Sequence, residues 1–426
     1  MRKDNLIIAI IGLGYVGLPL ANAFSKKYKV IGFDKNENKI RNYKNGIDIT
    51  KEIGNRELSK SNIIFTSNKN DIKDANVYII AVPTPIDVSN KPYIQDTLDA
   101  TELVGSVLKK GDMVIYESTF YPGLTEEECI PLLEKKSNMI QKENFYVGYS
   151  PERINPGDKM HKLENITKIV SGIDKQSLEL VYKLYKTILM KEPFKVSSIK
   201  VAEACKVIEN TQRDLNIAFM NEISILLKKL NINTNEVLEA CMTKWNFVNF
   251  KPGLVGGHCI GIDPYYLIEK AKKTNVNLSI IENSRKVNES MKQYIIEELL
   301  KKMRENSKKI KKSVIIYGAT FKENISDIRN SKILEIAKEL TIIGIKVYIT
   351  DPYININYIN KEYNMNLYDI KECKEKVQGI IIGVAHNKYK QITENDLIEK
   401  LENNMCPIID IYGIVKKNKN SKIWSL

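Results

Sequence analysis

Histidine is nearly absent from the sequence, with three in 426 residues, so a zinc site has no second pair of imidazole ligands to draw on. Cysteine is little more frequent. The six cysteines (129, 205, 241, 259, 373 and 406) stand far apart, without the density of a secreted disulfide scaffold and without a CxxC pair. A reducing cytoplasm fits that usage best. Long apolar runs are missing as well. "LIIAIIGLGYVGLPLANAF" behind the charged "MRKDN" imitates a signal peptide, but Gly12, Gly14, Gly17, Pro19 and Asn22 interrupt it, and no other stretch could span a bilayer. Helix-turn-helix, zinc-knuckle and RNA-binding signatures do not occur either. The lysines behind the net charge of +13 are scattered rather than striped with aromatics, and read as solvated surface rather than a nucleic-acid footprint.

With 43% hydrophobic and 27% charged residues, the chain is of the soluble globular class, and its length predicts two or three domains. Short runs apolar on both faces, "LIIAII", "KVIGF", "VYIIAV", "MVIYES" and "FYVGYS", alternate with helical patterns, as in a parallel sheet covered by helices. From Ile199 to Leu230 there is neither glycine nor proline, and apolar residues recur at helical spacing, which predicts one long helix. More helical pattern runs from Tyr266 to about Met303, and "RENSKKIKKS" reads as an exposed linker. The alternation then restarts with "SVIIYGATF", "IKVYITD", "GIIIGVAH" and "PIIDIYG". The predicted fold class is α/β: two Rossmann-like parallel-sheet domains, 1–195 and 304–426, joined by a central helical domain, 196–303.

"IIAIIGLGYVG" places Gly12, Gly14 and Gly17 in a GxGxxG between a strand and a helix, the pattern that lets backbone approach a pyrophosphate. Asp34 ends the next strand, where a carboxylate would bind an adenosine ribose and repel a 2′-phosphate, favouring NAD over NADP. "AVPTP" and "ESTFYPG" follow two further strands and offer Thr84 and Thr119, either as ligand contacts or as ordinary turn hydroxyls. "SPERINPG" holds Glu152 and Arg153 between prolines, a candidate general base or a surface ion pair. On the long helix Lys206 and Asn210 stand one turn apart, near Glu203 and Arg213; that polar run either faces solvent or stabilises an oxyanion.

"PGLVGGHCIGIDPYY" is the densest stretch, with Cys259 after two glycines and Asp263 four residues on. A thiolate is a natural covalent nucleophile. His258 suggests a Cys-His dyad, but neighbours in extended chain point to opposite faces. Combined with a dinucleotide fold, a nucleophilic cysteine points to oxidation of an aldehyde to an acid, because a thiohemiacetal can release hydride where a bare aldehyde does not readily do so.

"GLGYVGLPLA", "VPTP", "EST", "SPERINPG", "AEACKVIENTQRDLNIAFMNE", "GLVGGHCIGIDPYYL" and "FKENISDIRNS" stand in the order and spacing of the UDP-glucose/GDP-mannose dehydrogenase family, which the chain resembles over essentially its whole length. The resemblance implies an NAD-dependent four-electron oxidation of a nucleotide sugar's C6 hydroxymethyl to a carboxylate. It implies Cys259 as the nucleophile, Lys206 and Asn210 at the oxyanions, Asp263 orienting water, Glu152 as the base of thioester hydrolysis, and Thr119 holding that water. NAD contacts carried over are Gly12, Gly14, Tyr15, Val16, Gly17, Asp34, Val82, Thr84, Ser118, Thr119 and Arg329. The UDP-sugar would meet Glu152, Arg153, Lys206, Asn210 and Lys322, with Phe247, Asn249, Lys251 and Gly253 of "FVNFKPG" wrapping the diphosphate. The long helix would form a homodimer core. His258, Ile262 and Tyr265-Tyr266 look like the branch acting on UDP-N-acetylhexosamines for capsule and O-antigen polysaccharides. They favour UDP-N-acetylglucosamine or UDP-N-acetylgalactosamine over UDP-N-acetylmannosamine and UDP-glucose.

Overall fold

A computed structural model of the chain describes residues 6–151, 163–306, 312–418 and 421–426. The chain divides into two compact units, Met1–Glu209 with Tyr265–Asn277, and Asn210–Pro264 with Leu278–Leu426.

The first unit is built on an eight-stranded sheet: β1 (Ile7–Ile11), β2 (Lys29–Phe33), β3 (Ile63–Thr66), β4 (Val77–Ile80), β5 (Met113–Tyr116), β6 (Tyr146–Tyr149), β7 (Ile169–Gly172) and β8 (Phe194–Lys195). Their order is β3-β2-β1-β4-β5-β6-β7-β8, parallel throughout except between β6 and β7. The reversal of strand order between β1 and β4 makes a topological switch point, where α/β sheets open a ligand crevice at their carboxyl edge. Strands β1, β2, β4, β5 and β6 are the apolar runs predicted from sequence; they are buried because helices cover both faces. Strand β3 escapes that pattern, since Ile64 faces solvent, and β8 has only two residues.

The second unit carries five strands, β9 (Ser313–Tyr317), β10 (Lys346–Thr350), β11 (Tyr368–Asp369), β12 (Gly379–Ile382) and β13 (Ile408–Asp410), all parallel in the order β11-β10-β9-β12-β13. The helix Ser279–Asn306 drives Met291, Ile295, Leu299 and Met303 into a core with Ile316, Ile336 and Leu340. The helical pattern predicted from Tyr266 onward is in fact two helices, Asp263–Lys273 and Ser279–Asn306, because Asn275 takes a left-handed conformation (φ 57°) that closes the first.

One device recurs in both sheets. After β1, Gly12 turns with φ 93° and the next amide, Leu13, donates to Asp34 Oδ2 at 3.0 Å; after β9, Gly318 turns with φ 95° and Ala319 donates to Asp351 Oδ2 at 2.7 Å. Each aspartate ends its second strand and ties the first βα turn to it. They differ in the second partner: Asp34 pairs with Lys39 at 2.8 Å, whereas Asp351 meets His386 Nε2 at 3.1 Å with both side chains fully buried.

The long helix Ile199–Lys229 has 31 residues, about 46 Å at 1.5 Å per residue. Its polarity is inverted. Glu203, Lys206, Asn210, Asp214, Asn221 and Ser224 are buried, while Val201, Ile208, Phe219 and Leu226 are each at least 43% exposed. At about 100° per residue those four apolar positions fall within roughly 20° of one line.

The glycines of the first turn have separate jobs. A Cβ on Gly17 would lie 1.8 Å from the Gly12 carbonyl oxygen, whereas one on Gly14 would meet nothing within 4 Å. Gly17→Ala is therefore expected to destabilise the first unit by ~1–3 kcal/mol or more through backbone overlap. Gly14→Ala is expected to stay within about 0.5 kcal/mol of the parent. Thermal unfolding midpoints of the two variants check the contrast.

Candidate active site

In the first unit, the sequence-predicted cofactor residues gather at the carboxyl edge of β1, β2, β4 and β5. Asp34 is buried at the end of β2, accepting from Leu13 and Asn36 amides at 3.0 Å each and pairing with Lys39. Tyr15, Val16 and the open Gly14 lie on the turn above it, half-buried. Ser118 Oγ donates to the Val82 carbonyl at 2.6 Å, joining the loops after β4 and β5, and Tyr266 Oη donates to the carbonyls of Thr84 (2.9 Å) and Pro85 (3.1 Å). Thr119 is half-buried beside Ser118. A cradle open at Gly14 and a strand-end carboxylate are the features a dinucleotide's pyrophosphate and ribose require, so these residues fit one.

Buried charges hold this edge. Glu203 on the long helix accepts from Gly123 N (2.6 Å), Thr125 N (3.0 Å) and Thr125 Oγ1 (2.6 Å), fixing the loop that carries Ser118 and Thr119. Burial pushes its carboxyl up to about 7 against those donors. Lys168 and Glu117, 1% and 0% exposed, pair at 2.6 Å; the same ammonium donates to the Pro151 carbonyl at 3.1 Å, and Tyr185 Oη donates to Glu117. Sequence reasoning missed Lys168 and Tyr185, which sit in plain helix and strand pattern. Glu152 and Arg153 lie outside the described residues. Lys206 is buried on the long helix, 6% exposed.

In the second unit, both ends of the cysteine loop are tied to that helix. At its start, Asn221 Nδ2 donates to the Gly253 carbonyl (3.0 Å) and Gly253 N returns a bond to Asn221 Oδ1 (2.8 Å). At its end, Asn210 Nδ2 donates to Asp263 Oδ2 at 2.5 Å, and Arg213 donates to Asn210 Oδ1. Between them Asp214 pairs with the buried Arg285 and accepts from Asn288 Nδ2 at 2.7 Å. The loop lies against the segment 321–330: a Cβ on Gly257 (φ 78°) would come within 2.6 Å of the Phe321 ring, and one on Gly256 within 2.7 Å of the Asn330 carbonyl. Those glycines thus serve close packing within the protein. All six cysteines are thiols, and Cys259 alone is exposed. Its carbonyl accepts the amides of Ile262 (3.1 Å) and Asp263 (2.9 Å), which start the helix Asp263–Lys273.

Asn210 and Asp263 are thus brought together, both buried. Phe247, Asn249 and Lys251 lie on a partly exposed strip leading into Gly253, and Lys322 is half-buried. Arg329 folds back on Asp327, through Nε (3.1 Å) and Nη2 (2.7 Å). Of the branch-marking residues, Ile262 is buried and His258 turns its Nε2 to Asp327 Oδ2 at 3.1 Å. Among the described residues no cluster of three or more His, Cys, Asp or Glu side chains could hold a metal ion, and no helix is long and apolar enough to cross a membrane.

Burial and the Arg329 charge pull His258 down to about 4, against the upward pull of Asp327. Between pH 6.5 and about 4 the unfolded chain binds a proton there that the folded ring refuses, so this contribution is present above pH 6.5 and lost as pH falls through that window. The thermal midpoint of the parent is expected to fall more steeply from pH 6.5 to 4.5 than that of His258→Gln; equal slopes would contradict the assignment.

Comparison with known proteins agrees with this geometry. The NAD binding domain model of the UDP-glucose/GDP-mannose dehydrogenase family matches residues 6–189, its central domain model 200–290 and its UDP binding domain model 315–417. The chain is 49% identical over 397 residues to the UDP-N-acetyl-D-glucosamine 6-dehydrogenase of Salmonella typhi, covering 92% of this chain and 93% of that one. It is 48% identical over 427 residues to Protein CapL of Staphylococcus aureus, covering 99% and 100%. Among solved structures, the UDP-D-ManNAc dehydrogenase of Pyrococcus horikoshii superposes with a TM-score of 0.87 at 29% identity, covering 99% of each chain. With an NAD binding domain, a central domain and a UDP binding domain matched in order, the chain belongs to the UDP-glucose/GDP-mannose dehydrogenase family of NAD-dependent nucleotide-sugar dehydrogenases.

Proposed function

We propose that this chain oxidises the C6 hydroxymethyl group of a UDP-N-acetylhexosamine, UDP-N-acetylglucosamine first and its galacto epimer next, to the uronic acid. The observation that carries the reading is the exposed thiol of Cys259, set in a loop bonded at both ends to a buried polar helix face, in a chain with an NAD-binding domain. The relative named UDP-N-acetyl-D-glucosamine 6-dehydrogenase supports the choice of sugar.

NAD, when bound, accepts a hydride from C6 in each of the two oxidations. Cys259 adds its sulfur to the C6 aldehyde to give a thiohemiacetal, and the second oxidation leaves a thioester on the same sulfur. Water then attacks the thioester carbonyl, the C–S bond breaks, and the thiol is regenerated with the acid. Lys206 supplies positive charge to the oxyanions of these steps. Asn210 shares that task and, through its bond to Asp263, aims the carboxylate that orients the water. Glu152 takes the proton of the water and Thr119 holds it. Val82, Thr84, Ser118 and the Gly12–Gly17 turn bind NAD with Asp34 on the ribose, and Arg329 is the further NAD contact that the family resemblance implies. Phe247, Asn249, Lys251, Gly253, Arg153 and Lys322 bind the UDP-sugar.

The apolar stripe Val201, Ile208, Phe219 and Leu226, which opposes the helix's buried polar face, supports a homodimer formed along the long helix. The product suits a cytoplasmic route to capsule or O-antigen polysaccharide.

An NADH assay over UDP-glucose and the UDP-N-acetylated gluco, galacto and manno sugars is expected to give two NADH per sugar, fastest with UDP-N-acetylglucosamine; one NADH per sugar contradicts the four-electron reading. Cys259→Ala is expected to abolish acid formation, scored by mass of the product. Phe219→Glu, at an exposed position, is expected to convert dimer to monomer in sedimentation with little change in helix content.

A further inference from the structure

We propose that His258 is a positioning residue for Cys259: it fixes the thiol-bearing turn onto the segment 321–330 through an Nε2–H···Asp327 hydrogen bond. The inference rests on the assignment of Cys259 as nucleophile.

His258 immediately precedes Cys259, and its Nε2 lies 3.1 Å from Asp327 Oδ2. Its ring packs on Phe321 with centroids 5.8 Å apart. The adjoining backbone is held to the same segment, since Asn330 Nδ2 donates to the Gly257 carbonyl at 3.1 Å. Asp327 is the centre of that segment. It accepts from Arg329 N (3.0 Å), Nε (3.1 Å) and Nη2 (2.7 Å), and its own carbonyl accepts from Phe321 N at 3.1 Å. Residues 321–330, Lys322 among them, therefore close on themselves around one carboxylate.

The proton in the His258–Asp327 bond has one place to be. Burial would raise the Asp327 carboxyl, but Arg329 outweighs it and holds the group below the usual range, so Asp327 is ionised and accepts only. His258 is then the donor, a neutral ring with its hydrogen on Nε2. That nitrogen cannot act as a base toward a thiol. What the ring does instead is make the cysteine turn and the Lys322-bearing segment one rigid piece. A displacement of about 1 Å at a reacting atom costs on the order of 100-fold in rate, so a bond next to the nucleophile has catalytic leverage without touching substrate.

The test uses the full chain with NAD and UDP-N-acetylglucosamine. Two NADH per acid from the parent, and no acid from Cys259→Ala, establish the underlying reading, and their failure would overturn that reading itself. Given those, His258→Phe keeps the ring packing but loses the donor, and is expected to lower kcat at least about tenfold with KM for the UDP-sugar changed less than about threefold. His258→Gln, which can still donate to Asp327, is expected to return kcat to within about threefold of the parent. Retention of kcat within about twofold by the Phe variant, or a Gln variant as slow as Phe, overturns the proposal and leaves His258 a packing residue. Should either variant be too unstable for kinetics, the rate of iodoacetamide alkylation at Cys259, read by peptide mass, decides: it is expected to shift in His258→Phe and not in His258→Gln, and equal rates in all three proteins overturn the proposal.

Discussion

The buried side chain of Asn221 exchanges two hydrogen bonds with the backbone of Gly253, and the cysteine loop depends on that pair. A primary amide matches a peptide group donor for acceptor, so Asn221 stands in for the strand or helix partner that an irregular loop lacks. The site is fully buried, and loss of the side chain would strand a carbonyl and an amide at a cost of about 1–3 kcal/mol. Eleven residues before it on the helix, Asn210 closes the other end of the loop through Asp263. Cys259 is held by its flanks, in a loop where it stays exposed.

This arrangement accounts for the inverted helix. An ordinary surface helix buries apolar residues and shows polar ones to water. Here Glu203 and Asn221 are spent as backbone partners for loops that have no regular structure, while Asn210 and Asp214 bond side chains of the helices Asp263–Lys273 and Ser279–Asn306, so the buried side of the helix carries a polar row. Ala202, Val207 and Met220 are buried beside that row, and a second set of apolar residues, Val201, Ile208, Phe219 and Leu226, forms an exposed stripe on the opposite side.

Much of the fold was legible because its signals are local. Short apolar runs marked β1, β2, β4, β5, β6, β9, β10, β12 and β13, and the absence of breakers marked the long helix. Strands β3 and β11 were not legible: one is four residues long with Ile64 facing solvent, the other is two residues long. Among the candidate residues, Cys259, Asp34 and the Gly12 turn announced themselves by unusual local composition. Asn221, Asp327, Arg285 and Lys168 did not, because each acts on a segment 17 to 71 residues away, or within two residues by a turn that composition does not reveal. The two readings of Lys206 and Asn210, solvated face or site, were undecidable from spacing because spacing fixes which residues share a face and not which way that face points; both are buried.

The central claim is that the long helix's polar face anchors the two ends of the cysteine segment. Amide hydrogen exchange in Asn221→Ala tests it most directly, since Gly253 N–H is protected by Asn221 Oδ1. Exchange across residues 252–263 should accelerate at least about tenfold, a loss of about 1.4 kcal/mol in local protection, while peptides from the long helix keep their rates. Unchanged protection at Gly253 in a folded variant would contradict the account.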